Sequence, residues 1–371
     1  MSEKTLDFQS LLRPGIVQNR PYTPGRPICE VRRELGLERI VKLASNENPE
    51  GPLPAVLEAI RRAAKGINRY PDAACYELTR RMADHLAVTP GSLIFGNGSN
   101  EVIDLLIRAL ISPGENVVFS EHSFIVYALS TRVHFESGVA VPLGAGDKHD
   151  LPAMAAAVNE RTKLVIICNP NNPTGTYNSA AEMDRFLAAV PPQVIVALDE
   201  AYCEYVTAAD YPATLSMLAE YPNLVLLRTF SKIHSLAGLR LGYGVGHPDF
   251  IAELQKTREP FNVNMLSQAA AIACLDNWHE VAARRDRNRR ELDRVAAALC
   301  ELGLVPVPSQ ANFLLVRGPV NAGQVTQDLL QKGVIVRPMH AFGLGDGALR
   351  ISIGLPEEND MCLAALKEIL N

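Results

Sequence analysis

Leu224 to Val245 reads LVLLRTFSKIHSLAGLRLGYGV: an apolar run, one lysine among hydroxyl and small residues, then a second β-rich run. The first run is apolar at successive positions, so a strand here would be covered on both faces, as in a sheet lying between layers of helices. Working outward, SLIF from Ser92, NVVFS from Asn116, GVAVP from Gly138, KLVIIC from Lys163 and QVIVAL from Gln193 repeat the pattern between helical stretches. This alternation predicts an α/β chain whose mostly parallel, seven-stranded sheet is covered by helices. Ligands of such sheets bind beyond the carboxyl ends of the strands, which makes the residues just after each run the first candidates for a site.

The 371 residues exceed the usual size of one core, so a large domain with a smaller companion is expected. After Phe261 a long charged helical stretch gives way to NFLLVR, VIVRP and LRISIG, which predict a small α+β domain. The expected division is an arm over 1–50 that joins the small domain, a large domain over 51–262 and a small one over 263–371. A net charge of -5 argues against a dedicated nucleic-acid binder. The basic run Arg284–Arg290 (RRDRNRR) precedes the helical stripe Leu292, Val295, Ala296 and Leu299, and is expected to form that helix's solvated face. The seven cysteines are scattered without a C-x-x-C pair, which fits reduced thiols, and the eight histidines lack ligand spacing, so no metal is expected. No stretch has the length and apolarity of a membrane span, and a cytoplasmic location is expected.

The residues after the strands carry the chemistry. Gly96-Asn97-Gly98-Ser99-Asn100-Glu101 feeds a helical pattern, and such a turn either serves geometry alone or offers backbone N–H groups to a phosphate. Asn169-Pro170-Asn171-Asn172-Pro173 is a turn whose prolines could aim an amide side chain. Asp199-Glu200-Ala201-Tyr202 puts an acid at a strand end, but the chain lacks the G-x-x-x-x-G-K-[ST] loop that a nucleotide hydrolase needs. Ser231, Lys232 and Arg240 complete the set. A lysine nucleophile, a buried acid, a positioned amide and anion-binding groups in two places are what pyridoxal 5'-phosphate uses.

KLASNENPEGP, NRYPD, GNGSNE, NPNNPTG, DEAY, TFSK with LAGLRLGY, PFNVN, ANFLLVR, VIVRP and LRISIG follow one another along nearly the whole chain. In that order they resemble the fold-type I pyridoxal-phosphate aminotransferases, and more closely their histidinol-phosphate aminotransferase branch. The resemblance implies that Lys232 is the Schiff-base lysine and proton carrier, and that Asp199 pairs with the pyridinium nitrogen. It implies that Asn172 and Tyr202 reach the ring's 3'-oxygen, that Tyr127 stacks on the ring, and that Ser99, Asn100, Ser231 and Arg240 hold the phosphate. Tyr70 would reach the phosphate of a neighbouring subunit, making a homodimer with shared sites. Arg350 would grip the substrate α-carboxylate and Arg337 a substrate phosphate, with Tyr22 assisting; Asn46 and Asn48 would shape the pocket floor. The implied reaction interconverts histidinol phosphate plus 2-oxoglutarate with imidazole-acetol phosphate plus glutamate. An aromatic amino-acid aminotransferase of the same family is the alternative, and a phospho-amino-acid decarboxylase of this fold a more distant one. Two places depart from the family pattern: Ile233-His234-Ser235 after the lysine, where His234 is expected to be a packing residue, and His122-Ser123.

Overall fold

A computed structural model describes residues 6–19, 21, 24–135, 137–318 and 321–370. Its strands are β1 (Val41–Lys42), β2 (Leu93–Gly96), β3 (Asn116–Ser120), β4 (Gly138–Val141), β5 (Thr162–Cys168), β6 (Ile195–Asp199), β7 (Leu224–Thr229) and β8 (Gly242–Val245), then β9 (Val305–Pro306), β10 (Phe313–Arg317), β11 (Val334–Ile335), β12 (Arg337–Pro338) and β13 (Ala348–Ser352). Strands β2 to β8 form the predicted seven-stranded sheet, in the order β2-β8-β7-β6-β5-β3-β4. All neighbours are parallel except β8, which runs antiparallel to both β2 and β7. The cause is local: residues 230–241 hold only the short turn Ala237–Leu239 and no crossover helix, so the chain can only double back.

Strand periodicity explains the unbroken apolar runs. Leu224 and Leu226 enter the core on one face of the sheet, while Val225 and Leu227 enter it on the other. Strands β5 and β6 divide in the same way, with Val165, Ile167, Val196 and Leu198 against Leu164, Ile166 and Ala197. Helices Pro54–Ala63, Tyr76–Leu86 and Met265–Asp276 cover the first face through Val56, Leu78, Met82, Ala270 and Cys274. Ser99–Leu110 and Pro248–Leu254 cover the second through Val102, Leu106 and Ile251. Full burial of each valine, leucine, isoleucine or methionine among them is worth about 1.5–3 kcal/mol.

The remaining strands make a four-stranded antiparallel sheet, β12-β13-β10-β9, backed by helices His279–Glu301, Ala322–Gln331 and Pro356–Leu370. From the amino-terminal segment, β1 pairs in parallel with β11, and Val41 and Leu43 pack with Leu314 and Leu349 of this second core. Two expectations change. Helix Met265–Asp276 packs on Pro54–Ala63 and buries Ala271 in the larger core, so the change of unit falls after it and not at 262/263. The arginine run is not wholly a solvated face either, because Arg284 is 5% exposed. No helix among the described residues is long and apolar enough to cross a membrane. All seven cysteines are free.

Candidate active site

Because β2, β5, β6 and β7 run in one direction, the loops after them converge on a single cavity of about 580 Å³ at their carboxyl ends. Ser99, Asn100, Asn172, Asp199, Tyr202, Ser231, Lys232, Arg240 and Arg350 all line it. The sequence brought them under suspicion from widely separated motifs; the sheet brings them together.

One corner is built for an anion. Helix Ser99–Leu110 begins here after Gly98, whose φ of 75° is the left-handed backbone that glycine adopts without cost. A Cβ on Gly98 would lie 2.7 Å from the Arg240 guanidinium, and one on Gly242 would collide with the Ser99 backbone nitrogen. The two glycines thus let a cation, a helix amino terminus and β8 crowd together. Ser231 joins them, its Oγ accepting from Thr229 Oγ1 at 3.0 Å. Such a corner favours a phosphate.

Asp199 lies across the cavity at the end of β6 and is 1% exposed. Tyr127 donates its hydroxyl to Asp199 Oδ2 at 2.7 Å, and the Ala201 N–H reaches Oδ1 at 3.2 Å. Burial pushes the Asp199 carboxyl up to about 6, while the Tyr127 hydroxyl, the Ala201 N–H and the charge of Lys232 pull the other way. The stacking role expected of Tyr127 does not fit this geometry: the side chain is fully buried beneath the acid and lines no part of the cavity. Phe124, three residues earlier, forms the wall, its ring edge-on to Tyr127 at 5.7 Å. The signal was present in HSFIVY, which holds two aromatic residues one helical turn apart.

Lys232 is half-buried, with Nζ 5.4 Å from the centroid of the Tyr202 ring. Burial brings its amine down to about 8, and Arg350 and Arg240 act in the same direction against Glu47 and Asp199. A lysine so placed is a competent nucleophile and proton carrier near neutral pH. Tyr202 accepts at its hydroxyl from Asn46 Nδ2 at 3.0 Å. Asn46, at φ 54°, is locked further by Ser352, whose Oγ accepts from the Asn46 N–H at 2.9 Å. That gives Asn46 the contact its sequence position left unassigned. Asn48 instead reaches the Ile233 carbonyl at 2.9 Å.

Arg350, 7% exposed, enters from the second sheet and donates to Asn172 Oδ1 at 2.6 Å and to the Ala44 carbonyl at 2.8 Å. Arg337 is its direct partner across β12 and β13. It does not line the cavity itself, but lies 5.2 Å over the ring of Phe342, which does. His122 donates from Nδ1 to the Phe342 carbonyl at 3.0 Å, tying that wall to the larger unit. His234 packs between the rings of Phe230 and Trp278, at 4.9 and 5.0 Å. Tyr70 stands outside this cavity, 80% exposed and stacked on Phe261 at 4.7 Å. Tyr22 lies outside the described residues.

The chain matches the family model of aminotransferase class I and II over residues 38–366. It is 47% identical over 366 residues to histidinol-phosphate aminotransferase 2 of Pseudomonas aeruginosa, covering 98% of this chain and 99% of that one. It is 46% identical over 359 residues to histidinol-phosphate aminotransferase of Moorella thermoacetica, covering 96% and 92%. The crystal structure of histidinol-phosphate aminotransferase from Sinorhizobium meliloti in complex with pyridoxal-5'-phosphate superposes with a TM-score of 0.87, at 29% identity, over 97% of this chain and 98% of that one.

Proposed function

Because the chain belongs to the class I and II aminotransferases, we propose that it transfers the amino group of histidinol phosphate to 2-oxoglutarate, giving imidazole-acetol phosphate and glutamate. The observation that carries this reading is the convergence of Lys232, Asp199 and the anion corner in one cavity, with Arg350 and Arg337 paired at its second-unit side. The donor set fits pyridoxal 5'-phosphate: an anion corner for the phosphate, a buried acid for the ring nitrogen and a depressed lysine for the aldehyde. When bound, that cofactor supplies an aldehyde to amines and a protonated ring that takes up the electron pair released at the substrate carbon.

The chain's own residues would do the rest. Asp199 would keep the ring nitrogen protonated, and Tyr127 would hold Asp199 ionised and fixed. Asn172 gives its oxygen to Arg350, so its amide N–H would donate to the 3'-oxygen beside the Tyr202 hydroxyl. Phe124 would cover the ring face. Lys232 would move the proton between the two carbons. Arg350 would grip the carboxylate of glutamate, and Arg337 the phosphate of histidinol phosphate, which has no α-carboxylate. A homodimer with shared sites belongs to this reading. The exposed Tyr70–Phe261 stack adjoins the anion corner, because Asn97 Nδ2 donates to the Asn262 carbonyl at 2.9 Å. Free cysteines throughout suit the cytoplasmic location in the same reading.

Substrate choice is tested at Arg337. Arg337→Ala should lower kcat/KM for histidinol phosphate by about 2–5 kcal/mol, the range for removing one partner of a desolvated charge pair. With phenylalanine as donor the loss should be much smaller, since no phosphate is left unpaired. Equal losses with both donors would reject the phosphate role and favour an aromatic amino-acid aminotransferase.

The acid is tested through its partner. Tyr127→Phe removes a donor that stabilises the Asp199 carboxylate, so the carboxyl should protonate at higher pH. Activity that depends on ionised Asp199 is lost as pH falls through its pKa, and the acidic limb of kcat/KM should move up by about 1–2 units, the value of one hydrogen bond to a charged group. An acidic limb that stays in place would separate Tyr127 from the chemistry.

A further inference from the structure

Among the described residues, the catalytic reading leaves a buried cation without a task. Arg284, on the long helix His279–Glu301 of the second unit, reaches beneath the loop that follows Lys232. Its Nη1 donates to the Ile233 carbonyl at 2.7 Å and to Ser235 Oγ at 2.8 Å, and its Nη2 donates to the Gly51 carbonyl at 2.8 Å. Its Nε stands 3.7 Å from Glu50. The same junction is tied from its other sides. Asn48 Nδ2 also donates to the Ile233 carbonyl, at 2.9 Å, and Ser235 Oγ donates to the Glu50 carbonyl at 2.7 Å. Arg287, one turn along the helix, holds the Glu50 carboxylate through two bonds of 2.7 Å.

Burying a guanidinium, even with three neutral acceptors and one carboxylate at 3.7 Å, costs more than burying an apolar side chain of that volume, so packing alone does not account for it. What the planar fork adds is geometry: it fixes several acceptors in one plane, which a flexible ammonium cannot do. The Ile233 carbonyl is one residue beyond Lys232. Ser235, at φ 61°, is a backbone position that needs such restraint.

We propose that Arg284 is a positioning residue for Lys232: by clamping Ile233, Ser235 and Gly51 it holds the Lys232 amine in one geometry and couples that geometry to the long helix of the second unit. The inference rests on the reading that Lys232 holds the cofactor. An arginine clamp of this kind acts on kcat and leaves substrate capture by Arg350 untouched.

The test uses the holoenzyme, with Arg284→Lys, which keeps a charge but not the fork, and Arg284→Met, which keeps neither. For each, one measures visible circular dichroism per bound cofactor, kcat and KM for glutamate, and Tm. Arg284→Lys is expected to bind cofactor with a weakened visible dichroism and to lose about 10²-fold in kcat, the cost of misplacing a reacting group by about 1 Å, with KM little changed. Asn48→Ala, which removes the other donor on the Ile233 carbonyl, should shift dichroism and kcat in the same direction by less, and gives a reading if Arg284→Met does not fold. A fall in Tm with dichroism and kcat of wild type in both Arg284→Lys and Asn48→Ala would overturn the proposal. A wild-type holoenzyme in which borohydride reduction fixes no cofactor on Lys232 would overturn the parent reading instead.

Discussion

Lys232→Ala is expected to lower amino-group transfer by about 10⁴-fold, the upper end of the range for a positioned proton carrier, because the same amine also anchors the cofactor. The variant should still hold cofactor through the anion corner, where Ser99, Ser231 and Arg240 are unchanged. Its visible absorption should lose the component that depends on linkage to lysine. The Tm of the cofactor-free protein should not fall at pH 7. The folded protein lowers the Lys232 pKa to about 8, so at that pH the burial of a positive charge beside Arg350 and Arg240 is a cost that alanine removes. A small primary amine added to the assay should restore part of the turnover. Near-normal turnover without it would show that another group moves the proton.

Asp199→Asn is the second large effect. The amide has the shape of the acid and can accept from Tyr127, so the cavity should survive, but it cannot balance a ring proton. Turnover should fall by about 10²- to 10³-fold, as for loss of one preorganised electrostatic contact. Stability carries a separate signature. The folded protein raises the Asp199 pKa to about 6, above the unfolded value of about 3.9, so the cofactor-free wild type holds this proton more tightly when folded. The stability tied to that proton is full below pH about 3.9 and is lost as pH rises through about 6. Asp199→Asn should lose that part of the pH dependence. Retention of both the half-reaction rate and this pH dependence in Asp199→Asn would remove Asp199 from the mechanism.

Most of the site was legible because it is local. Lys232, Ser231 and Arg240 lie within one loop, and Asp199 and Tyr202 within another, so their types and spacing carry the chemistry before any folding is known. The choice between Phe124 and Tyr127 was not local. The two are one turn apart on helix Ile125–Val133 and its cap, and which ring faces the cavity depends on how that helix rolls against β3 and β5. Arg284 was misread for a related reason: a charged run beside an apolar stripe looks solvated until another unit's backbone is laid across it.

The sequence by itself determined the α/β order and the two-sided burial of the strands, since these follow from side-chain period. It also determined the kinds of group at each strand end. Only the tertiary structure decided which of them meet. The pairing of Arg337 with Arg350, the anchoring of Tyr202 by Asn46, the placing of Tyr127 beneath Asp199 and the clamp of Arg284 join positions far apart in the chain. Such contacts are set by the packing of whole elements against one another, to which no local propensity is sensitive.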